Sequence, residues 1–562
     1  MSESKSKFFI PAIGAAVVVA GSLVAYMYLK GPSGDSSGVL GSAKLVPSTA
    51  LMATYITTDP QAWAKLQQFG TPEAQKLLAK SLEDFNKNTF KDSNISYEKD
   101  IKPWIGGVMF AVLPPNAAKP AQLTEPSNPA NPPITLQQEP KILMVVGIKD
   151  KISALNFAKR LKEQKNVKSQ ESDYKGEKIT ETIENGKPTY SAVLNNSHVL
   201  FAPEKQTVEN AIDTYKGQPS FASKEGASNI LNKGVDVKNT LAQIYIPDYA
   251  GMVQQFITAS PQAKQVPPQT LAQLKQVKSM AAAVGVDDAG LRMKAIANLD
   301  PQLSKFQYET TPANIVGQFP IETFALINGK DISRSWSTIV EQSKDYPELQ
   351  QALQQVRGQL QTVNIDLDKD IFGWMNGEFG FGAIPSNQGV LASVGFGGAL
   401  IFDTSDRKTA EATFTKLDTL AKTQRINITQ RQIGGKDVTE WQIPQQGALL
   451  SHGWLDQDTV FLAIGGPVAD SITAGKNQSL ENSETFKAVT SSLQKPNGGY
   501  FYLDMDKAVS LVSRFAAQGQ PIPPETSAIL SSIRGVSATA TSPDKSTSEL
   551  EMLLALKPST TK

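Results

Sequence analysis

The sequence predicts an α+β protein: a tandem duplication of an antiparallel-sheet domain with helices packed on the sheet, preceded by one transmembrane helix. Three observations predict it. Asp100-Ile-Lys-Pro-Trp-Ile-Gly-Gly107 returns as Asp370-Ile-Phe-Gly-Trp-Met-Asn-Gly377, with Asp, Ile, Trp and Gly in the same four places. Around both copies the same succession of helical and strand-like segments follows, so the period is a whole domain and not a short solenoid unit. Finally, residues 8–29 form a long run without a charge.

Residues 1–7 read as a short cytoplasmic N-terminus. The run 8–29, as a helix rising about 1.5 Å per residue, spans about 33 Å and crosses a bilayer. Lys5 and Lys7 precede it and a polar Gly/Ser stretch follows Lys30, which sets the N-terminus inside and the main body outside. A cleaved signal peptide is the competing reading, but the run is long for one and no Ala-x-Ala site closes it. Residues 30–44 read as a flexible tether.

The first repeat, 45–300, opens with a strand at 51–57. Thr71-Pro72-Glu73 supplies an N-cap, a first-turn proline and an early acid for a helix to about residue 90. The first motif leads into a strand at 108–113. Eight prolines in 114–140, with almost no periodic apolar residues, mark an exposed, extended insertion that the second copy lacks. A strand at 141–148 passes through Asp150 into a helix with Ala154, Phe157, Ala158 and Leu161 on one face. A meander at 179–183, 189–194 and 198–202 turns at Asn185-Gly186. A helix at 206–215, a strand at 241–246, an amphipathic helix and a hairpin at 281–286 and 291–299 complete the repeat.

Residues 301–318 are polar and aperiodic and read as a linker. The second repeat, 319–558, runs in the same order, with strands at 379–384 and 399–402 and a helix after Ser405-Asp406-Arg407 bearing Ala410, Phe414 and Leu417. Its meander is at 438–443, 448–454 and 459–464. A helix at 468–474, a strand at 499–503 and a hairpin at 536–541 and 549–556 follow, and 559–562 are a tail.

The motif itself has a structural reading. Asp100 and Asp370 are expected to accept hydrogen bonds from the free amides of a short helix, and Gly106, Gly107 and Gly377 to supply the left-handed turn that ends it. Trp104 and Trp374 then pack, beside Ile101 and Ile371. The functional reading of the same residues has the paired Asp and Trp lining a binding groove.

Composition removes several function classes. The formal net charge is +1, which argues against a nucleic-acid binder driven by positive charge. With no cysteine there is no disulfide, thiolate metal site, iron-sulfur cluster or cysteine nucleophile. Asp366-Leu-Asp-Lys-Asp370 begins like a calcium loop, but Ile371 stands where that loop needs Gly and Gly377 where it needs a bidentate acid. Asp504 with Asp506, and Asp287 with Asp288, read as turn or helix caps. The two histidines, His198 and His452, lie on strands outside any HExxH pattern, and no Gly-x-Ser-x-Gly elbow accompanies them. Ser405-Asp-Arg-Lys408 and Ser492-Leu-Gln-Lys495 match only the Ser-x-x-Lys pair of acyl-transferring enzymes, without its companion motifs. Gly395-Phe-Gly-Gly398 and Gly465-Gly-Pro467 are bends, since neither completes a phosphate-binding loop. Trp63, Trp336 and Trp441 read as core, with a partner surface as the competing reading. No catalytic, cofactor or metal residues are expected.

With the anchor, both Asp-Ile-x-x-Trp motifs and the strand-Asp-helix step after each, the chain resembles a cyanobacterial family of single-pass membrane proteins, the domain of unknown function thirty-three fifty-two. The resemblance covers residues 45–556. It implies an envelope or thylakoid protein with its body in periplasm or thylakoid lumen, and brings no catalytic residues. The expected function is a membrane-anchored extracytoplasmic scaffold or assembly and maintenance factor, with the lipid bilayer (through 8–29) and another envelope or thylakoid protein as partners, and no nucleic acid. The alternative is an extracytoplasmic hydrolase or ligand-binding receptor using a cleft between the repeats.

Overall fold

The computed structural model describes residues 38–77, 79–80, 96–115, 140–162, 168–184, 187–225, 227, 231, 234–258, 274–304, 307–344, 346–474, 478–516 and 522–559. The apolar run 8–29, most of the Pro-rich stretch, the far end of the helix read at 71–90 and the Asn185-Gly186 turn lie outside them. Among the described residues no helix is long and apolar enough to cross a membrane. The fold is α+β and built on antiparallel strands. It divides into two compact units: Met1–Gln67, Gln75–Val286 and Lys294–Asp300 form unit 1, and Gln68–Ala74, Asp287–Met293 and Pro301–Lys562 form unit 2.

The strands of the first half are β1 (Met52–Ile56), β2 (Ile105–Leu113), β3 (Lys141–Ile148), β4 (Lys168–Tyr174), β5 (Glu177–Glu184), β6 (Lys187–Leu194), β7 (His198–Ala202), β8 (Thr240–Ile246), β9 (Val277–Val286) and β10 (Gly290–Leu299). Its helices are α1 (Val39–Ala43), α2 (Pro60–Leu66), α3 (Lys151–Lys162), α4 (Lys205–Tyr215) and α5 (Tyr249–Thr258). Within unit 1 the sheet order is β4-β5-β6-β7-β3-β2-β1-β8-β9, every neighbour antiparallel.

The second half has β11 (Ala325–Lys330), β12 (Glu378–Pro385), β13 (Phe396–Asp403), β14 (Asn427–Ile433), β15 (Lys436–Ile443), β16 (Gly447–Trp454), β17 (Thr459–Ile464), β18 (Phe501–Asp504), β19 (Ile533–Asp544) and β20 (Thr547–Leu556). Helices α6 (Ile332–Ser343), α7 (Pro347–Gln361), α8 (Arg407–Thr423), α9 (Val468–Thr473), α10 (Glu484–Thr490), α11 (Met505–Ala516) and α12 (Pro524–Ser531) accompany them. The order in unit 2 is β14-β15-β16-β17-β13-β12-β11-β18-β19-β20, again antiparallel throughout.

Each sheet buries residues on both faces. In unit 1, Leu143, Val145, Leu200 and Ala202 meet Val208, Ala211 and Ile212 of α4, while the alternate positions Val146, Ile148, Val199 and Phe201 meet Ala154 and Phe157 of α3. Two-sided burial is why β7 is apolar at nearly every position and does not alternate. In unit 2, Ala399, Ile401, Phe461 and Ala463 meet α9 and α10, and Phe402 and Val460 meet Ala410 and Phe414 of α8.

Several elements differ from the sequence reading. β4 and β14 are absent from it because Lys-Ser-Gln-Glu-Ser-Asp-Tyr and Asn-Ile-Thr-Gln-Arg-Gln-Ile are polar; each pairs with one neighbour in its sheet order, where little side-chain burial is required. Val39–Ala43, read as tether, is a short helix with Ser42 and Ala43 buried. Asn314–Gln318, read as linker, is a helical turn that places Ile315 and Val316 in the core of unit 2.

Candidate functional site

The two motifs fold alike. Each Asp lies near the end of one wide helical turn, Tyr97–Ile101 and Leu367–Phe372. Its carboxylate reaches back to the residue that opens the turn, so Asp100 accepts from the Ser96 amide at 2.6 Å and Asp370 from the Asp366 amide at 2.8 Å. This is the inward-reaching half of a capping box, and it corrects the expectation of an aspartate standing ahead of the turn. In the second copy Asp366 takes that leading position, accepting from the amides of Asp368 and Lys369.

The tryptophan four residues on closes the same turn. Trp104 Nε1 donates to the Asp100 carbonyl and Trp374 Nε1 to the Asp370 carbonyl, each at 2.9 Å. Trp104 stacks on Phe157 of α3, and Trp374 meets Phe402 and Phe414. Both indoles are buried, as is Ile101, whereas Ile371 is half-buried. Each carboxylate has a cation from the helix above it, Arg160 on Asp100 and Lys416 on Asp370, the latter at 2.6 Å. Burial pushes the Asp370 carboxyl up, but the Lys416 ammonium and the Asp366 amide outweigh it and hold the group below its ordinary value.

The motif glycines act by close approach. Gly106, Gly107 and Gly377 have no left-handed backbone, which corrects the expected turn. A Cβ on Gly107 would meet the Tyr55 hydroxyl, one on Gly106 the Gly147 carbonyl, and one on Gly377 the Asp403 carbonyl. The motif Asp and Trp residues are thus held inside their units by backbone and helix contacts.

The remaining candidates also have partners. Asp368 is gripped by Arg357 through two hydrogen bonds of 2.8 Å and by Trp336 Nε1 at 2.7 Å. His452 Nε2 lies 2.9 Å from Asp418 Oδ1, which also accepts from Trp441 Nε1 at 2.7 Å, and Phe414 stacks on the imidazole. Burial pushes the Asp418 carboxyl up, but the His452 and Trp441 hydrogen bonds win and hold it low. Ser405 accepts from the Asn376 side chain, Asp406 caps α8, and Ser492 accepts from Arg292. His198 pairs through Nδ1 with Ser197 and is buried, its pKa lowered to about 4 by desolvation. Asp504 caps the helix that follows it, and Asp287 takes the Ala289 amide and Arg292. Trp63, read as core, is 41% exposed and donates to the Thr57 carbonyl. Among the described residues no cluster of three or more His, Asp or Glu is placed to hold a metal ion.

What sequence reasoning missed is a row of apolar side chains across one face of the unit 2 sheet. Cross-strand pairing lines up Leu462, Leu400, Phe381, Ile327, Phe501, Ala538 and Met552. Leu462 and Leu400 run into the cluster beneath α8. Phe381, Ile327 and Phe501 are 38%, 51% and 39% exposed, whereas their sequence neighbours Leu326 and Tyr502 on the opposite face are buried. The equivalent row in unit 1 is Met144, Phe110, Thr54, Ile244 and Ala282, all half-buried. The signal was in the sequence: Ala-Leu-Ile-Asn-Gly-Lys and Phe-Tyr-Leu-Asp are apolar on both parities, where a one-faced strand alternates.

The fold and these sites define an α+β protein of antiparallel units, each with an Asp and Trp turn built into its interior. The chain belongs to the family described as "Protein of unknown function (DUF3352)", which it matches over residues 12–556. No curated protein matches the sequence. Among solved structures, crystal form III of TP0453 aligns with TM-score 0.25 and 8% identity, covering 48% of this chain and 82% of that one. Crystal form I aligns at 0.24 and 10%, covering 46% and 78%. Likeness at this level bears on neither fold nor function.

Proposed function

We propose that this chain is a membrane-anchored extracytoplasmic scaffold, a tandem duplication of one α+β domain, held by residues 8–29 in an envelope or thylakoid membrane and binding another protein there. The matched strand orders and the twice-built Asp-Trp turn support the duplication. The observation that carries the binding role is the open row Phe381, Ile327 and Phe501: contiguous exposed aromatics and aliphatics on a sheet face mark protein interaction surfaces. A photo-crosslinking residue at Ile327 in the full chain tests it. One reproducible, near-stoichiometric partner protein, lost with Phe381→Glu in a chain that still folds, supports the reading. Absence of any crosslink, or one that survives Phe381→Glu, overturns it.

A further inference from the structure

A second apolar line lies on α7. Leu349, Val356 and Val363 recur at seven-residue intervals and are 39%, 42% and 38% exposed, while Leu353 between them is buried. Val363 stands in the turn that closes the helix, its amide bonded to the Leu360 carbonyl. Seven residues are nearly two whole helical turns, so the three side chains share one face. With Leu353 and Leu360 they repeat the four-then-three spacing of a coiled-coil seam, of which the fold itself covers only one side.

The chemistry around that line selects its occupant. Its solvent-side neighbours, Ala352 and Gln359, are uncharged. Within α7 the charged residues are Glu348 at its first turn and Arg357, which is turned away and held by Asp368. A membrane-lying helix would carry lysines and arginines beside its apolar face, and a charged partner would need complementary charge here. Neutral glutamines instead donate and accept equally and repel nothing when brought against themselves. The line is also symmetric about its centre. A two-fold axis through Val356 sets Val356 against itself and Leu349 against Val363 of the other copy, and leaves the two helices antiparallel. That is the self-complementary patch an isologous dimer requires.

We infer that α7 is a homodimerisation helix, pairing antiparallel with α7 of a second copy about a two-fold axis at Val356. Three apolar layers fall short of the roughly 1,600 Å² of a standard interface, so the pair is weak and concentration-dependent in solution.

Because the chain has no cysteine, single substitutions report the register directly. The full chain carrying Val356→Cys, mildly oxidised, is expected to move from monomer to dimer mass on a non-reducing gel. Leu349→Cys alone should stay monomeric, but mixed with Val363→Cys it should give the crosslinked heterodimer. A second variant, Val356→Glu, should lose the concentration-dependent dimer in sedimentation velocity while keeping the parent circular dichroism spectrum. Val356→Cys that remains monomeric while its thiol reacts freely with maleimide overturns the assignment. So does Leu349→Cys crosslinking to itself as readily as Val356→Cys. Neither result depends on the partner proposed for the Phe381 row.

Discussion

The indole Nε1 of Trp374 lies 2.9 Å from the carbonyl oxygen of Asp370, and that one bond ties the end of a helical turn to the ring that anchors it in the core. Thr413 of α8 donates to the same carbonyl, so the turn is fixed from within and from above. Trp374→Phe is expected to lower stability by about 1 kcal/mol for the lost hydrogen bond, and Trp374→Ala by about 3–5 kcal/mol for the lost packing. Trp104 should repeat that ranking in unit 1. Urea titrations of the four variants check both halves.

Asp370 is held below its ordinary pKa of 3.8 by Lys416 and the Asp366 amide, against the upward push of burial. A carboxylate held down in the folded state stabilises above the unfolded value, and that contribution is lost as the pH falls through 3.8 and below. Asp370→Asn should therefore be less stable than the parent at neutral pH, with the gap closing in acid. Denaturant midpoints measured across that range read the difference.

His198 behaves in the opposite sense to a paired histidine. Burial lowers its pKa from 6.5 to about 4, so the folded state keeps it neutral while the unfolded chain takes up a proton. Its share of stability is intact above 6.5 and drains as the pH falls toward 4, by as much as about 3 kcal/mol. In His198→Asn the acid limb of the stability curve should flatten over that window.

Arg292 is buried against Asp287 at 2.6 Å and against Glu551, and its guanidinium also reaches Ser492. Glu551 in turn accepts from the Gln494 amide at 2.8 Å. Arg292→Ala leaves Glu551 charged and enclosed and is expected to destabilise by about 3–5 kcal/mol. A double variant that also replaces Glu551 with Gln should recover part of the loss, as thermal unfolding would show.

Gly358 sits in the last turn of α7 with open space where a Cβ would be. Gly358→Ala is expected to stabilise by about 0.5–1 kcal/mol, through the unfolded chain and helix propensity alone. A rise in the denaturation midpoint with unchanged slope is the check.

Much of this fold is readable from the chain because its strands bury alternate residues. The strand at Thr240–Ile246 and the hairpin Ile533–Asp544 with Thr547–Leu556 follow directly from apolar residues at every second place: Ala242, Ile244 and Ile246, then Val536, Ala538 and Ala540, then Leu550, Met552 and Leu554. Elements whose apolar residues are few stay hidden: Asn427–Ile433 offers only two isoleucines, and α7 dilutes its leucines among glutamines. The motif was legible as a repeat but not as geometry. Asp370 reaches backward to Asp366, and Gly377 is required by the nearby Asp403 carbonyl, a contact between residues no local pattern joins.

The strand that opens each unit lies inside its sheet, with a neighbour on either side. Ala53 of β1 pairs on one side with Ala111 and on the other with Tyr245, and Ala325 of β11 with Ala383 and Leu503. One side of that strand's ladder therefore waits for residues near the far end of the same unit. During synthesis the early strands must stand with an unsatisfied edge until the late one arrives, so both units fold slowly and from a high contact order. An emerging chain of this design spends its most aggregation-prone interval with one side of that strand open, an exposure set by topology.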